Sequence, residues 1–217
     1  MADLHLVIAN KAYSSWSMRP WVAMKAQGVA FKETVICLQQ PDTAEQIAKY
    51  SAAGKVPVLK HGEVTVWESL AILDYLADTL PSHAWWPEDR AARAMARAIA
   101  AEMHAGFTNL RSAMPMNVRR TILGRERTAE VDKDVARVQT VWGAARAKFG
   151  QGGPFLFGKF SNADAMYAPV VTRFKTYGVK LDAVSQAYAD AILAHPAVKQ
   201  WYADAEAEAW VIEKYEL

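Results

Sequence analysis

Apolar and polar positions change rhythm once along this chain, near residue 78. Before that point, short runs rich in Val, Ile and Leu alternate with stretches of helical spacing. Leu4–Ala9 reads as a strand. Ser17–Gln27 sets Met18, Trp21, Val22 and Met24 at helical intervals, and Gly28 is a natural C-terminal stop. Phe31–Leu38 is a second strand, and Asp42 or Thr43 can cap a short helix running to Tyr50. Val58–Lys60 and Val64–Trp67 flank His61-Gly62, which predicts a hairpin turn. Ser69–Ala77 sets Leu70, Leu73 and Leu76 on one side of a third helix. The order is therefore βαβ, then a helix, then ββα. It implies parallel strands with a helical crossover, followed by an antiparallel pair.

That order predicts a small mixed sheet with helices on both faces, an α/β thioredoxin-like domain over residues 1–79. Residues 80–88 carry two prolines and two tryptophans and read as a linker packed against its neighbours. From 89 to 217 the spacing is helical throughout, so the second domain is expected to be an all-α helical bundle. Its predicted helices are Ala91–Met114, stopped or kinked by Pro115, then Thr128–Phe149, Ser161–Tyr177, Asp182–Ala194 and Pro196–Ala207.

Composition narrows the setting. The net charge is +2 over 217 residues and no run of five basic residues occurs, so nothing selects a nucleic-acid partner. The densest basic stretch, Arg119–Arg127, reads as a solvated helix end or loop. One cysteine, Cys37, excludes an intrachain disulfide and fits a reducing compartment. It lies in the run Val35–Leu38 and reads as a buried strand residue. No segment reaches the roughly 18 apolar residues of a membrane span, and the N-terminal apolar run is too short for a signal peptide. A cytoplasmic location is expected. His5, His61, His83, His104 and His195 show no metal-ligand spacing, so no metal is expected.

Three short strings carry candidate chemistry. SAAGKVPVL at 51–59 enters a strand through Pro57, which has no N–H to give a ladder. With a cis Val56–Pro57 bond, the Val56 backbone would turn outward and could pair with an extended peptide. VWESLAILDYL at 66–76 starts a helix at Ser69, and helix N-termini suit carboxylates. Glu68 beside it could hold an ammonium, so the dipeptide offers both signs that an α-amino acid head group needs. SSWSMRPW at 14–21 leads into the first helix, where a serine hydroxyl could donate to a thiolate. Each string also has a plain reading, as a trans X-Pro bond, an N-cap serine after a surface glutamate, and ordinary helix capping.

Taken in this order and spacing, SSWSMRPW, GKVPVL and ESLAILDYL resemble the soluble glutathione transferase family, and the likeness covers nearly the whole chain. FSNADAMYAP at 160–169 is similar to the capping motif that begins a buried helix in these proteins. Ser161 and Asp164 stand three apart, the spacing of a capping box. SSWSMR is most similar to the zeta-class motif SSCSxR, found in proteins of the maleylacetoacetate isomerase kind. Trp16 replaces its cysteine, Pro20 and Trp21 depart from it, Ala52 stands where many members have proline, and Glu68 stands where zeta proteins have glutamine.

The resemblance implies glutathione as co-substrate or cofactor, held by Ser14, Ser15, Gln40, Lys55, Val56, Glu68 and Ser69, with Ser14 and its neighbour Ser15 at the thiol. It implies a transferase that activates this thiol for attack on a small electrophile. A glutathione-dependent cis-trans isomerase and a non-catalytic glutathione- or partner-binding protein of the same fold stay open beside it. The electrophile would sit between the domains, against Trp16, His104, Thr108 and Arg111, and an arginine there would favour an anion; a plain ion pair is the competing role for Arg111 and Arg120. Met114 and Met116 would line pocket or core. The resemblance also implies a homodimer. A Cys-x-x-Cys oxidoreductase is disfavoured, because the first helix starts without cysteine.

Overall fold

A computed structural model describes residues 3–216. The first half folds as β1 (Leu4–Ala9), α1 (Ser15–Ala26), β2 (Lys32–Ile36), α2 (Thr43–Ala48), β3 (Val58–His61), β4 (Val64–Trp67) and α3 (Ser69–Thr79). The sheet order is β2-β1-β3-β4, with β1 and β2 parallel and the other pairs antiparallel. Alternation along β1 decides which core each side chain joins. Leu4, Leu6 and Ile8 face the large core with α1 and α3, while Val7 faces a smaller one with Ile36, Ile47 and Val58 under α2.

The second half is α4 (Arg90–Ala105), α5 (Thr108–Ala113), α6 (Ala129–Phe149), α7 (Asn162–Thr176), α8 (Ala183–Ala194) and α9 (Pro196–Ala207). Helix α7 is buried along nearly its whole length and packs against both α1 and α4. One hydrophobic core runs through both halves, including Trp21 of α1, Trp142 of α6 and Trp201 of α9. Trp21 and Trp201 meet edge to face with centroids 5.2 Å apart. Each such buried side chain contributes about 2–3 kcal/mol of transfer free energy, so the two halves share their stabilisation. Trp85 and Trp86 are buried between them, and the Trp85 carbonyl accepts from Asn162 N–H at 2.8 Å. The residues joining α3 to α4 are thus packed, as their aromatics predict.

Four local expectations are corrected. The helix expected over Ala91–Met114 is two helices, because Phe107 adopts a left-handed φ of 56°. Gly106 sits where an added Cβ would lie 2.8 Å from the Glu102 carbonyl oxygen, so the chain turns there before any proline. The hairpin turn is Gly62-Glu63, since His61 still pairs with Val64. Cys37 lies just past β2 and is half-buried, with Asn10 Nδ2 3.4 Å from its sulfur. Arg119 is a tie and not a solvated end: it donates to the carbonyls of Glu208 and Trp210 and to the Tyr13 hydroxyl, each within 2.8 Å.

Candidate functional site

The register of the sheet gathers the three strings. Val7 lies opposite Val58, and Val58 lies opposite Trp67. The chain therefore leaves β1 toward Ser14, enters β3 through Val56-Pro57 and leaves β4 toward Glu68, all at one end of the sheet.

Ser14 is the N-cap of α1, and its Oγ accepts the Ser17 N–H at 3.3 Å. The Ser14 and Ser17 hydroxyls share a hydrogen bond of 2.8 Å, and Ser17 Oγ accepts the Ala9 N–H at 3.0 Å. Ser17 is fully buried while Ser14 is part-exposed. A cap hydroxyl at the positive end of a twelve-residue helix, backed by a buried donor chain, is suited to an anion. The loop carrying it is held from behind. The Glu208 carboxylate accepts the N–H groups of Lys11 and Ala12 at 2.6 and 3.1 Å. Glu216 accepts from Asn117 at 3.0 Å and from Arg120 at 2.6 Å, and it also takes the Tyr13 hydroxyl.

The Val56–Pro57 peptide is cis, and among the described residues neither the N–H nor the C=O of Val56 has a hydrogen-bond partner. Glu68 has φ 67° and ψ 125°, a sparsely populated region that costs of order 1–3 kcal/mol and recurs at ligand clamps. Its side chain is exposed. Ser69 opens α3 with its hydroxyl buried and without a partner among the described residues. A buried orphan hydroxyl at a helix start fits the carboxylate of a ligand head group. Lys55 is exposed on the loop before Val56. Gln40 is exposed too, with its N–H on Thr43 Oγ1 at 2.9 Å.

The facing wall comes from the helical half. His104 of α4 places Nε2 3.6 Å from Glu68 Oε2, and its ring meets Trp16 edge to face at 5.2 Å. Burial, then Arg19, lower the His104 pKa, against the pull of Glu68. The Glu68 contact is therefore not an ion pair at neutral pH, although its distance alone would allow one. Arg111 of α5 lies 5.2 Å from the Trp16 ring and donates to the carbonyls of His104 and Gly106 at 3.2 and 3.0 Å. It makes no ion pair with a carboxylate among the described residues, whereas Arg120 pairs with Glu216 at 2.6 Å. Thr108 is exposed at the start of α5 and joins none of these contacts. Met114 and Met116 are core residues.

Two residues at this wall escape sequence reasoning. Arg19 follows the serines on α1, is fully buried, and stacks on Trp16 at 4.1 Å. Arg173 is a buried base near the end of the largely buried α7 and donates to Ser15 Oγ at 3.2 Å. A lone arginine inside MYAPVVTRF is the signal that could have marked the second. Among the described residues no group of His, Cys, Asp and Glu could hold a metal ion, and no helix is long and apolar enough to cross a membrane.

The family model for the glutathione S-transferase N-terminal domain matches residues 13–79, and that for the C-terminal domain matches residues 127–204. Glutathione S-transferase T1 of Arabidopsis thaliana is 30% identical over 140 residues, covering 58% of this chain and 56% of the relative. A probable maleylacetoacetate isomerase of Caenorhabditis elegans is 30% identical over 110 residues, covering 51% of each. The chain spans about half the length of the curated relatives it matches. In fold it is similar to a Burkholderia glutathione transferase homologue solved with glutathione, with TM-score 0.71, 22% identity and coverage of 95% and 100%. The theta-class enzyme of Xanthomonas axonopodis pv. citri, also solved with glutathione, gives TM-score 0.67, 20% identity and coverage of 93% and 98%. The thioredoxin-like sheet half, the helical half and these matches agree: the chain belongs to the glutathione S-transferase family.

Proposed function

We propose that this chain binds glutathione at the end of its sheet and lowers the pKa of the thiol for attack on a small electrophile. One observation carries the reading: the unpaired Val56 backbone, the orphan Ser69 hydroxyl beside Glu68, and the Ser14 cap all lie at that same end. Glutathione, when bound, supplies the nucleophilic sulfur. The residues present fit it. Ser69 and the start of α3 take the γ-glutamyl carboxylate, Glu68 takes the ammonium, and Val56 pairs with the peptide backbone. Lys55 and Gln40 are further contacts from the adjoining loops.

Ser14 is assigned the thiolate. Ser14 Oγ donates to Ser17 Oγ at 2.8 Å, and because the Ser17 hydroxyl carries a rotatable proton of its own, the bond can reverse when a thiolate arrives. The Ser14 proton is then free to be donated to sulfur. Ser15 is a second donor at the same place, because its oxygen is engaged by Arg173 while its proton is not. The α1 N-terminus adds a field of the same sign. Lowering a free-thiol pKa of about 8.5 by about two units requires about 2.7 kcal/mol, within reach of one charge-assisted hydrogen bond and a helix end. The electrophile lies against Trp16, His104 and Arg111, with Thr108 at the rim.

A second reading, a glutathione-dependent cis-trans isomerase, is favoured by the similarity to the Caenorhabditis protein. The same thiolate would add, allow bond rotation and leave. Ser14→Ala is expected to lower turnover of an aromatic halide about tenfold or more, the loss of one good hydrogen bond to an anion. Isomerisation of a cis-dienoic diketo acid that needs glutathione would select the second reading. Tight glutathione binding with no turnover of either substrate would mark a non-catalytic binding protein. We also read the chain as a cytoplasmic homodimer, with exposed Val64 and Trp67 on the sheet's edge strand as apolar contacts for a second copy.

A further inference from the structure

We infer that the segment following α9, residues 208–216, positions the thiolate donor: through Glu208, Glu216 and the Tyr13 hydroxyl it sets the place of Ser14 from behind. This deepens the proposed function by adding positioning residues to the same site, and it rests on that reading for the role of Ser14.

The loop between β1 and α1 does not complete its own hydrogen bonds. Its turn is closed by the Asn10 carbonyl, which accepts the N–H groups of Tyr13 and Ser14 at 3.2 and 2.9 Å. Lys11 and Ala12 are buried, and their N–H groups find no backbone acceptor among the described residues. A buried N–H without a partner is strongly unfavourable, so the acceptor has to come from elsewhere. Glu208 supplies it, with one carboxylate oxygen on each N–H. Tyr13, the residue before Ser14, is the second peg. Its buried hydroxyl accepts from Arg119 at 2.7 Å and from the Ile212 N–H at 3.2 Å, and donates to the Glu216 carboxylate. Arg119 also donates to the carbonyls of Glu208 and Trp210, and Asn117 donates to that of Tyr215. Ile212 is itself buried in the main core, so the peg is fixed to the body of the protein.

With its oxygen and its proton both engaged, the Tyr13 hydroxyl has nothing left for a ligand. Burial and the Glu216 contact raise its pKa, so the phenol stays a donor to the tail and not to sulfur. Its place beside Ser14 therefore acts through position. A hydrogen bond from Ser14 to sulfur is directional, and moving the hydroxyl by about 1 Å would forfeit most of it. Helix α1 holds the cap on one side, through the bonds between Ser14 and Ser17. Residues 208–216 hold it on the other, through Lys11, Ala12 and Tyr13.

Tyr13→Phe removes the hydroxyl and keeps the buried ring, and Glu208→Ala removes the other peg. The thiolate absorbance of bound glutathione is titrated with pH in the unaltered protein and in each variant, with and without Ser14→Ala. Each variant is expected to raise the midpoint by about one unit, an about tenfold smaller ratio of thiolate to thiol, while glutathione affinity stays within about threefold. In the Ser14→Ala background the same changes should move the midpoint by less than about 0.3 units, because their effect runs through Ser14. Val138→Ala, a cavity in the core face of α6, should lower stability and leave the midpoint in place. A midpoint that either Tyr13→Phe or Glu208→Ala leaves in place, equal shifts with and without Ser14, or an equal shift in Val138→Ala would overturn the inference. Glutathione that fails to bind the unaltered protein would sink the proposed function instead. Amide exchange of Ser14, Ser15 and Ser17 in the ligand-free Tyr13→Phe protein would then decide the positioning: exchange about tenfold faster supports it, and unchanged exchange overturns it.

Discussion

Buried charge occurs twice against helix α7, and the two places are built in opposite ways. At its start, Asp164 is wholly buried, and its carboxylate accepts from Ser161 N–H, the Ser161 hydroxyl and Leu156 N–H at 2.8, 3.0 and 3.1 Å. At its far end, Arg173 shares a wall with Arg19 and Arg111, and the terminal nitrogens of Arg19 meet no acceptor. Burial disturbs both, raising the Asp164 pKa to about 6 and lowering that of Arg173 to about 10. Asp164 and Arg173 are each bonded by their own chain, whereas Arg19 beside Arg173 keeps two terminal nitrogens without an acceptor among the described residues. A buried charge with its partners built in is a folding element. A buried charge of one sign with donors left over is a place for something else.

Removing the matched charge should cost most. Asp164→Ala strands three donors, two of them backbone, and is expected to lower the unfolding free energy by about 4 kcal/mol in urea denaturation. A loss below about 1 kcal/mol would erase the contrast. The pH dependence gives the next largest effect. The folded carboxyl holds its proton up to about 6 and the unfolded one only up to 3.8, so the folded state binds more protons between these values. The stability tied to this group is thus fully present below 3.8 and is lost as pH rises through about 6. The difference between the unaltered protein and Asp164→Asn should therefore shrink by about 2 kcal/mol from pH 4 to pH 7. A difference that grows over this range would reverse the assignment. The smallest effect is expected at the unmatched charge. Arg19→Met removes a desolvated cation without stranding a charged partner, and unfolding should change by less than about 1 kcal/mol or become harder. A loss as large as that of Asp164→Ala would show that Arg19 is a structural tie.

The same contrast explains what the sequence makes legible. The capping box of Ser161 and Asp164, the entry of Pro57 into β3 and the start of α3 at Ser69 are set within a few residues, so local chemistry reveals them. Ser14, Val56, Glu68 and Ser69, the core of the proposed glutathione site, come from such strings. The break at Gly106-Phe107 is hidden, because the stretch around it is rich in helix formers and the left-handed Phe107 depends on packing. The arginine wall is hidden for a larger reason. Ser15 and Arg173 lie 158 positions apart and meet only because α1 packs on α7. The ties from Glu208 and Glu216 to the Ser14 loop are of the same long-range kind.

The account turns on Ser14 as donor to the thiolate. Its most direct test is the thiolate absorbance of protein-bound glutathione, titrated with pH in the unaltered protein and in Ser14→Ala. The expected midpoint is about two units below the free-thiol value of about 8.5, returning most of the way toward it in the variant while glutathione still binds. A midpoint that Ser14→Ala leaves in place would contradict the account.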